Sequence, residues 1–275
     1  MQAGVTKAVH QYRRRAVTWP PPMDEEGRGS MRLRLTFHTG ARELSWDEVL
    51  APGRALSYAL LERGAPELGQ ALHKSGWGPH GLVPFGYGAP VFPTARRRRG
   101  VYAADGPGVV EFGSPLHEVV EGWAAALASI PVLAWGATAF IVDTIEPVEA
   151  PTFETGKAVF RTETPVVMKG SGRDESGARA RRQAWCLPGE PEWDVYVQNN
   201  LRRKAATLGL DPEVTLENIG WVGPKRSFAV GSGGGGKKPG ACVEVTASGA
   251  PETLSALHSW GLGQANSTGM GWISA

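Results

Sequence analysis

The order of apolar and polar runs along this chain predicts an α+β protein of tandem ferredoxin-like (RRM-like, βαββαβ) domains. Three observations predict it. Residues 31–37 alternate, with Leu33, Leu35 and Phe37 on one face, as a half-buried strand does. Residues 116–130 place Leu116, Val119, Val120, Trp123, Leu127 and Ile130 on one helical stripe. The order strand, helix, strand, strand, helix, strand then occurs a second time after residue 150.

In the first unit, the strand at 31–37 is followed by helices at 52–63, carrying Leu56 and Leu60, and at 66–75, carrying Leu68 and Leu72. Two strands follow, at 82–92 and 101–112, separated by a turn containing Arg96, Arg97, Arg98 and Arg99. After the 116–130 helix, residues 132–148 read as a long strand or a strand pair. The second unit opens with a strand at 155–168 and a polar, Gly- and Arg-rich loop at 170–182. A helix at 191–208 has Trp193, Val197, Leu201 and Leu208 on its apolar side. Strands follow at 214–221, 225–230 and 240–248, then a helix at 251–260 and a short last strand at 269–273. The expected organisation is a disordered leader at 1–30, a first domain at 31–150 and a second at 151–275.

The chain has 275 residues, enough for one large or two modest cores. With 41% hydrophobic and 20% charged residues it reads as soluble, and no apolar run approaches a membrane span, so no membrane partner is expected. The net charge is only +2, which by itself does not mark a nucleic-acid binder. The cations are clumped, however, at Arg13–Arg15, Arg96–Arg99, Arg179/Arg181/Arg182, Arg202/Arg203/Lys204 and Lys237/Lys238. Each clump fits either a phosphate-tracking patch or a solvated loop. Cys186 and Cys242 have no metal-ligand or disulfide spacing, which fits a reducing cytoplasm. Neither cofactor nor metal is indicated, since strand-linked dinucleotide and paired His/Asp/Glu patterns are missing. The glycines at 233–236 precede Lys-Lys-Pro and a strand, so they read as a hairpin tip, not a P-loop.

The last fifteen residues carry most of the functional information. Gly261, Gly263, Gly269 and Gly271 bracket a polar segment containing Asn266 and Ser267, directly after the 251–260 helix. A run of backbone N–H groups in such a loop can hold anionic oxygens, although a plain hairpin turn uses the same residues. This helix, G-x-G-x5-G-x-G, strand order resembles the signature of the RAMP superfamily of CRISPR-associated proteins, and within it the endoribonucleases that process CRISPR repeat RNA. Other segments resemble the same family. They are Leu72-His-Lys-Ser-Gly followed by Phe85-Gly-Tyr-Gly-Ala-Pro, then Glu163-Thr-Pro-Val-Val-Met168 with Thr164 at the usual serine, then Asn199-Asn-Leu-Arg-Arg-Lys204. The likeness spans residues 31–273 and is loose at each motif, but the motifs stand in the family's order.

RNA can be cut without metal when its 2′-OH attacks the adjacent phosphorus. That reaction needs a base, an acid and donors for the charged phosphorane. The resemblance implies this chemistry, with CRISPR repeat RNA as the partner. Other effector-complex subunits and a second copy of the chain are candidate protein partners. It also implies His73 and Tyr58 as catalytic residues, because the family has a tyrosine and a histidine fifteen residues apart in this region. On residue type alone His73 is equally a helix-end residue and Tyr58 a boundary aromatic. Where some members carry a lysine this chain has Val83, so Lys74 or His80 is expected to help. RNA contacts are expected from Gly261, Gly263, Asn266, Ser267, Gly269 and Gly271, with a subset of the basic clumps, including Arg202, Arg203, Lys204, Lys237 and Lys238. The loop is expected to line a basic cleft with its N–H groups open to phosphate. A non-catalytic RNA-binding RAMP subunit fits the same motifs. A small-molecule enzyme on duplicated ferredoxin-like domains would instead need a closed apolar pocket.

Overall fold

A computed structural model describes residues 31–170, 185–229 and 236–274 of the chain. The expected leader, the 170–182 loop beyond its first residue, including Arg179, Arg181 and Arg182, and most of the 231–238 turn lie outside the described residues.

The first unit begins with β1 (Arg32–His38) and the short β2 (Glu43–Leu44), then α1 (Ala51–Gly64) and α2 (Pro66–Ser75). It continues through β3 (Gly86–Tyr87), β4 (Tyr102–Ala103), β5 (Pro107–Gly113), α3 (His117–Leu127), β6 (Val132–Trp135) and β7 (Thr138–Pro147). Its sheet has the order β3-β5-β1-β7-β6, and every neighbouring pair is antiparallel. With β6 set aside as a hairpin addition, this is the ferredoxin-like order. The alternation read in β1 is realised, because Leu33, Leu35 and Phe37 are fully buried.

The second unit contains β8 (Lys157–Arg161), β9 (Met168–Lys169), β10 (Trp185–Cys186), α4 (Trp193–Leu208), β11 (Thr215–Val222), β12 (Arg226–Ala229), β13 (Lys237–Gly240), β14 (Val243–Ser248) and α5 (Pro251–Trp260). Its sheet has the order β11-β14-β8. Ile273 joins the outer side of β8 through a bridge to Thr162, completing a second ferredoxin-like arrangement. Two hairpins are inserted in it, β9–β10 and β12–β13. The molecule is thus a tandem ferredoxin-like α+β fold.

Several elements differ from the sequence reading. Of residues 82–92 only Gly86–Tyr87 forms a strand, with single bridges at Leu82 and Val91, because Pro84 and Pro90 remove backbone donors. Residues 101–112 split at a turn whose Gly106 has φ 85°, and the first part pairs with β2 instead. Residues 155–168 break at Thr162, before Pro165. Lys237 and Lys238 lie in a strand, not in a turn. Residues 269–273 make a bridge rather than a strand, since Gly269 and Gly271 both have positive φ.

A buried arginine ties the two units together. Arg32, on β1, is 2% exposed. Its guanidinium stacks 4.0 Å from the Trp272 ring centroid. It donates to the Ile273 carbonyl at 2.9 Å and to the His258 carbonyl. Trp260 Nε1 donates back across the same boundary to the Val83 carbonyl at 3.0 Å. Burial pulls the Arg32 pKa down to about 10 against the opposing charges of Glu111 and Glu163. At that value it stays charged near neutrality.

Arg32→Ala leaves two buried carbonyls unpaired, and each such loss costs about 1–3 kcal/mol. The expected result is a fall of about 10 °C in the unfolding midpoint, at about 2–4 °C per kcal/mol for a chain of this size. Thermal unfolding followed by circular dichroism checks it, and an unchanged midpoint contradicts the clamp.

Candidate nucleic-acid interface

The glycine-rich loop is not an open anion cradle. Gly261, Leu262, Gly263 and residues 266–273 are all buried. Many of its backbone donors are committed within the protein. Leu262 N–H donates to Gly271 O at 2.8 Å, Gln264 N–H to Val167 O at 2.9 Å, Gly269 N–H to Asn266 O at 2.8 Å and Gly271 N–H to Pro165 O at 2.9 Å. Asn266 closes the loop from inside. Its Nδ2 donates to Leu262 O at 2.9 Å and to Met270 O at 2.8 Å. The loop thereby drives Met270 into the core of the first unit, where it is 0% exposed. The expectation that Gly261, Gly263, Gly269 and Gly271 offer N–H groups to phosphate is corrected here: the glycines permit dense packing between the units. At Gly271 the requirement is strictest, because φ is 68° and a Cβ would lie 1.9 Å from Leu262 O.

Lys204 is corrected likewise. It is 2% exposed and reaches the loop, not solvent. Its Nζ donates to Gly261 O at 2.6 Å and to Asn266 Oδ1 at 2.7 Å, and lies 4.7 Å from the Trp260 ring centroid. Burial holds this ammonium well below the usual lysine range. The sequence did carry a signal for this: Lys204 falls on the same helical stripe as Val197 and Leu201, away from its neighbours Arg202 and Arg203. Those two remain exposed on α4. Arg202 borders an open groove between α4 and β11 together with Asp194, Gln198, Glu217 and Asn218. The groove is polar and of mixed charge, unlike a closed apolar substrate pocket. Lys237 pairs at the surface with Asp47 at 3.4 Å, an exposed pair of small energetic value.

The histidines sort themselves by their partners. His38 faces Asp143 at 2.9 Å and His117 faces Glu121 at 3.4 Å. His258 is buried, and burial with the neighbouring Arg32 charge pushes its pKa down to about 3, so it is neutral and not a phosphate-binding cation. His10 lies outside the described residues. His73 and His80 remain, both exposed.

His73 sits in the last turn of α2, and the α1–α2 hairpin folds it back on Tyr58. The ring centroids are 5.0 Å apart at 80°, an edge-to-face pair. Tyr58 rests in turn on buried Phe85, 5.4 Å away, so the Phe85-Gly-Tyr-Gly motif supports the pair from below. Burial raises the Tyr58 pKa, opposed by Arg54, which keeps the phenol neutral. Its hydroxyl is sealed from water and has no hydrogen-bond partner among the described residues. Lys74 and His80 are exposed and make no hydrogen bond, ion pair or ring contact with the pair. Arg54, which sequence reasoning missed, lies one turn before Tyr58, with its guanidinium 5.5 Å from the ring centroid. The i, i+4 spacing on α1 was the available signal. Arg54 Nη1 also donates to Ser267 Oγ at 3.4 Å, linking the α1 end of this site to the buried loop.

Among the described residues no three His, Cys, Asp or Glu side chains are grouped as metal ligands, and no helix is long and apolar enough to cross a membrane.

Residues 146–275 match the family described as CRISPR associated protein Cas6, C-terminal. By that match the second unit is similar to the C-terminal part of Cas6 proteins. Solved structures agree on the fold across the rest of the chain. A RAMP protein described as binding different RNA substrates is 14% identical, with a TM-score of 0.72 over 89% of this chain and 98% of its own. A CRISPR-associated Cas6 protein is 18% identical, with a TM-score of 0.69 over 90% and 99%. A Cas6-related protein from Pyrococcus furiosus is 12% identical, with a TM-score of 0.68 over 90% and 98%. No curated protein matches the sequence.

Two outcomes follow for the loop and its surroundings. Gly271→Ala adds left-handed backbone strain to a clash with Leu262 O, so it lowers stability by more than about 2 kcal/mol. Denaturant unfolding measures it, and a smaller loss contradicts the close packing. His258 binds a proton more weakly folded than unfolded. The unfolded chain therefore gains protons first as pH falls below about 6.5, and stability drops. Between pH 7 and pH 4, the midpoint of the parent protein falls further than that of His258→Gln; parallel curves contradict the neutral buried state.

Proposed function

We propose that the chain is a metal-independent endoribonuclease that binds CRISPR repeat RNA and cleaves precursor crRNA. The observation that carries the reading is the contact of Tyr58 with His73 on the α1–α2 hairpin, beside a cation and against the loop that joins the units. The match of residues 146–275 to the Cas6 C-terminal family supports repeat RNA as the substrate.

In the proposed step the RNA 2′-oxygen bonds to the adjacent phosphorus as its proton passes to a base. The bond from phosphorus to the 5′-oxygen breaks, and that oxygen takes up a proton. The products are a 2′,3′-cyclic phosphate and a free 5′-hydroxyl. His73 carries one of the two proton transfers, since it is exposed and an imidazole can both take up and give back a proton. Tyr58 fixes the imidazole by its ring, edge-to-face at 5.0 Å. The 2′-OH is the nucleophile, so the reaction needs no metal-bound water.

A second reading, a non-catalytic RNA-binding RAMP subunit, is favoured by one observation: neither Lys74 nor His80 makes a hydrogen bond or ring contact with the pair. Incubation of the protein with the repeat RNA of its own genome in EDTA, with mapping of the product ends, separates the two. Cleavage is expected in EDTA, and a 2′-deoxy substitution at the cut site abolishes it. His73→Ala lowers the single-turnover rate by about 10²–10⁴-fold, with RNA binding nearly unchanged. Cutting of the deoxy substrate, or a full rate in His73→Ala, overturns the proposal and leaves the binding subunit.

A further inference from the structure

Arg54 brings one cation beside the Tyr58–His73 pair. The second unit brings other cations to the same place. The β12–β13 hairpin leans over the first unit just ahead of α1. Phe228, on β12, lies 6.4 Å from the Trp46 ring, and Lys237 Nζ is 3.4 Å from Asp47 Oδ1. The base of the hairpin is held by a bridge from Ala241 to Val166. The strand partner of Phe228 is Lys238, which is half-buried. Lys169, on β9, is anchored to the loop: its backbone N–H donates to Gln264 Oε1 at 3.3 Å. Arg54 lies on the loop's other side, on Ser267.

Arg54, Lys169 and Lys238 are close enough for their charges to act on one another. The positive charges of Lys169 and Arg54, together with burial as the largest cause, pull the Lys238 ammonium below its usual range. Among the described residues none of the three has a carboxylate partner, unlike Lys237, which has Asp47. Two half-buried cations with an exposed third, without a carboxylate among the described residues, raise the energy of the empty site. An anion placed among them relieves that repulsion.

We infer that Arg54, Lys238 and Lys169, contributed by both units, form a phosphate-binding locus that seats the RNA backbone beside the Tyr58–His73 pair. The inference rests on the ribonuclease reading for its catalytic consequence, but not for the anion site itself. Arg54 is nearest the pair and is expected to act on the phosphorane. Lys238 and Lys169 are positioning groups that hold a neighbouring phosphate. The hairpin then couples RNA engagement to the relative placement of the two units.

The test uses the full chain with the repeat RNA of its own genome, intact for cleavage and 2′-deoxy at the cut site for binding. Arg54→Gln and Lys238→Gln are compared with the parent protein, with unfolding midpoints checked for each. Each variant is expected to weaken binding of the deoxy RNA and to lower the slope of log affinity against log salt by about 0.7–0.9. Arg54→Gln further lowers the single-turnover rate at saturating RNA by about tenfold or more, and Arg54→Lys restores most of it. Folded variants with unaltered salt slopes overturn the locus, even if the parent cleaves RNA. If the parent binds but never cleaves, altered slopes still uphold the locus, and the ribonuclease reading alone fails. Where Lys238→Gln unfolds the hairpin, Lys169→Gln gives the same slope measurement, and an unaltered slope there has the same overturning force.

Discussion

A single buried amide holds this molecule in register. Asn266 accepts from Lys204 and donates to the carbonyls of residues 262 and 270, so it fixes both ends of the glycine-rich loop at once. Everything that joins the two units passes close to it. Met270 enters the first core, Trp272 lies under the Arg32 guanidinium, and Ser267 meets Arg54 beside Tyr58 and His73. Without the amide, the loop would present inward-facing carbonyls to an apolar seam, at a cost near that of several lost hydrogen bonds. The glycines are subordinate to this constraint. They remove side chains where backbone must pass within contact of backbone.

The seam is unusually rich in cations for an interior. Arg32 and Lys204 are both nearly inaccessible to water, and each meets carbonyl oxygens and an indole face; Arg32 also has the Glu111 carboxylate 3.5 Å away, whereas Lys204 is met by the Asn266 amide oxygen. Carbonyl and π acceptors satisfy a cation directionally but do not neutralise it. A chain whose formal charge is only +2 can still gather cations locally by arranging its charges, not by adding them.

The duplicated strand and helix order was legible because it depends on local periodicity. α5 was read at its observed bounds, and β1 was read with its buried face. The pairing of Tyr58 with His73 was legible only through a family resemblance, since fifteen residues of spacing do not by themselves close a helical hairpin. What failed was whatever depended on long-range burial. A Gly-rich segment looks the same whether it faces solvent or a neighbouring core, and nothing within residues 261–271 tells which. Lys204 was misread because its basic neighbours suggested a patch, although its helical phase set it on the apolar side. Arg54 was passed over because a lone arginine on a helix draws no notice until a loop some 213 residues away arrives beside it.

The entry of Met270 into the first core has a kinetic side. The first sheet and its helices can collapse early from contacts near in sequence, but their core retains a gap that only a residue more than 120 positions beyond β7 can fill. The clamp from Arg32 to Ile273 closes a span of 241 residues, among the longest this chain allows. Contacts of such reach form late, because chain entropy is lost before they repay it. The two units are therefore not independent beads. During synthesis the first waits, collapsed but unsealed, with an apolar slot open to solvent, and it gains its final order only when the second has folded far enough to deliver the plug.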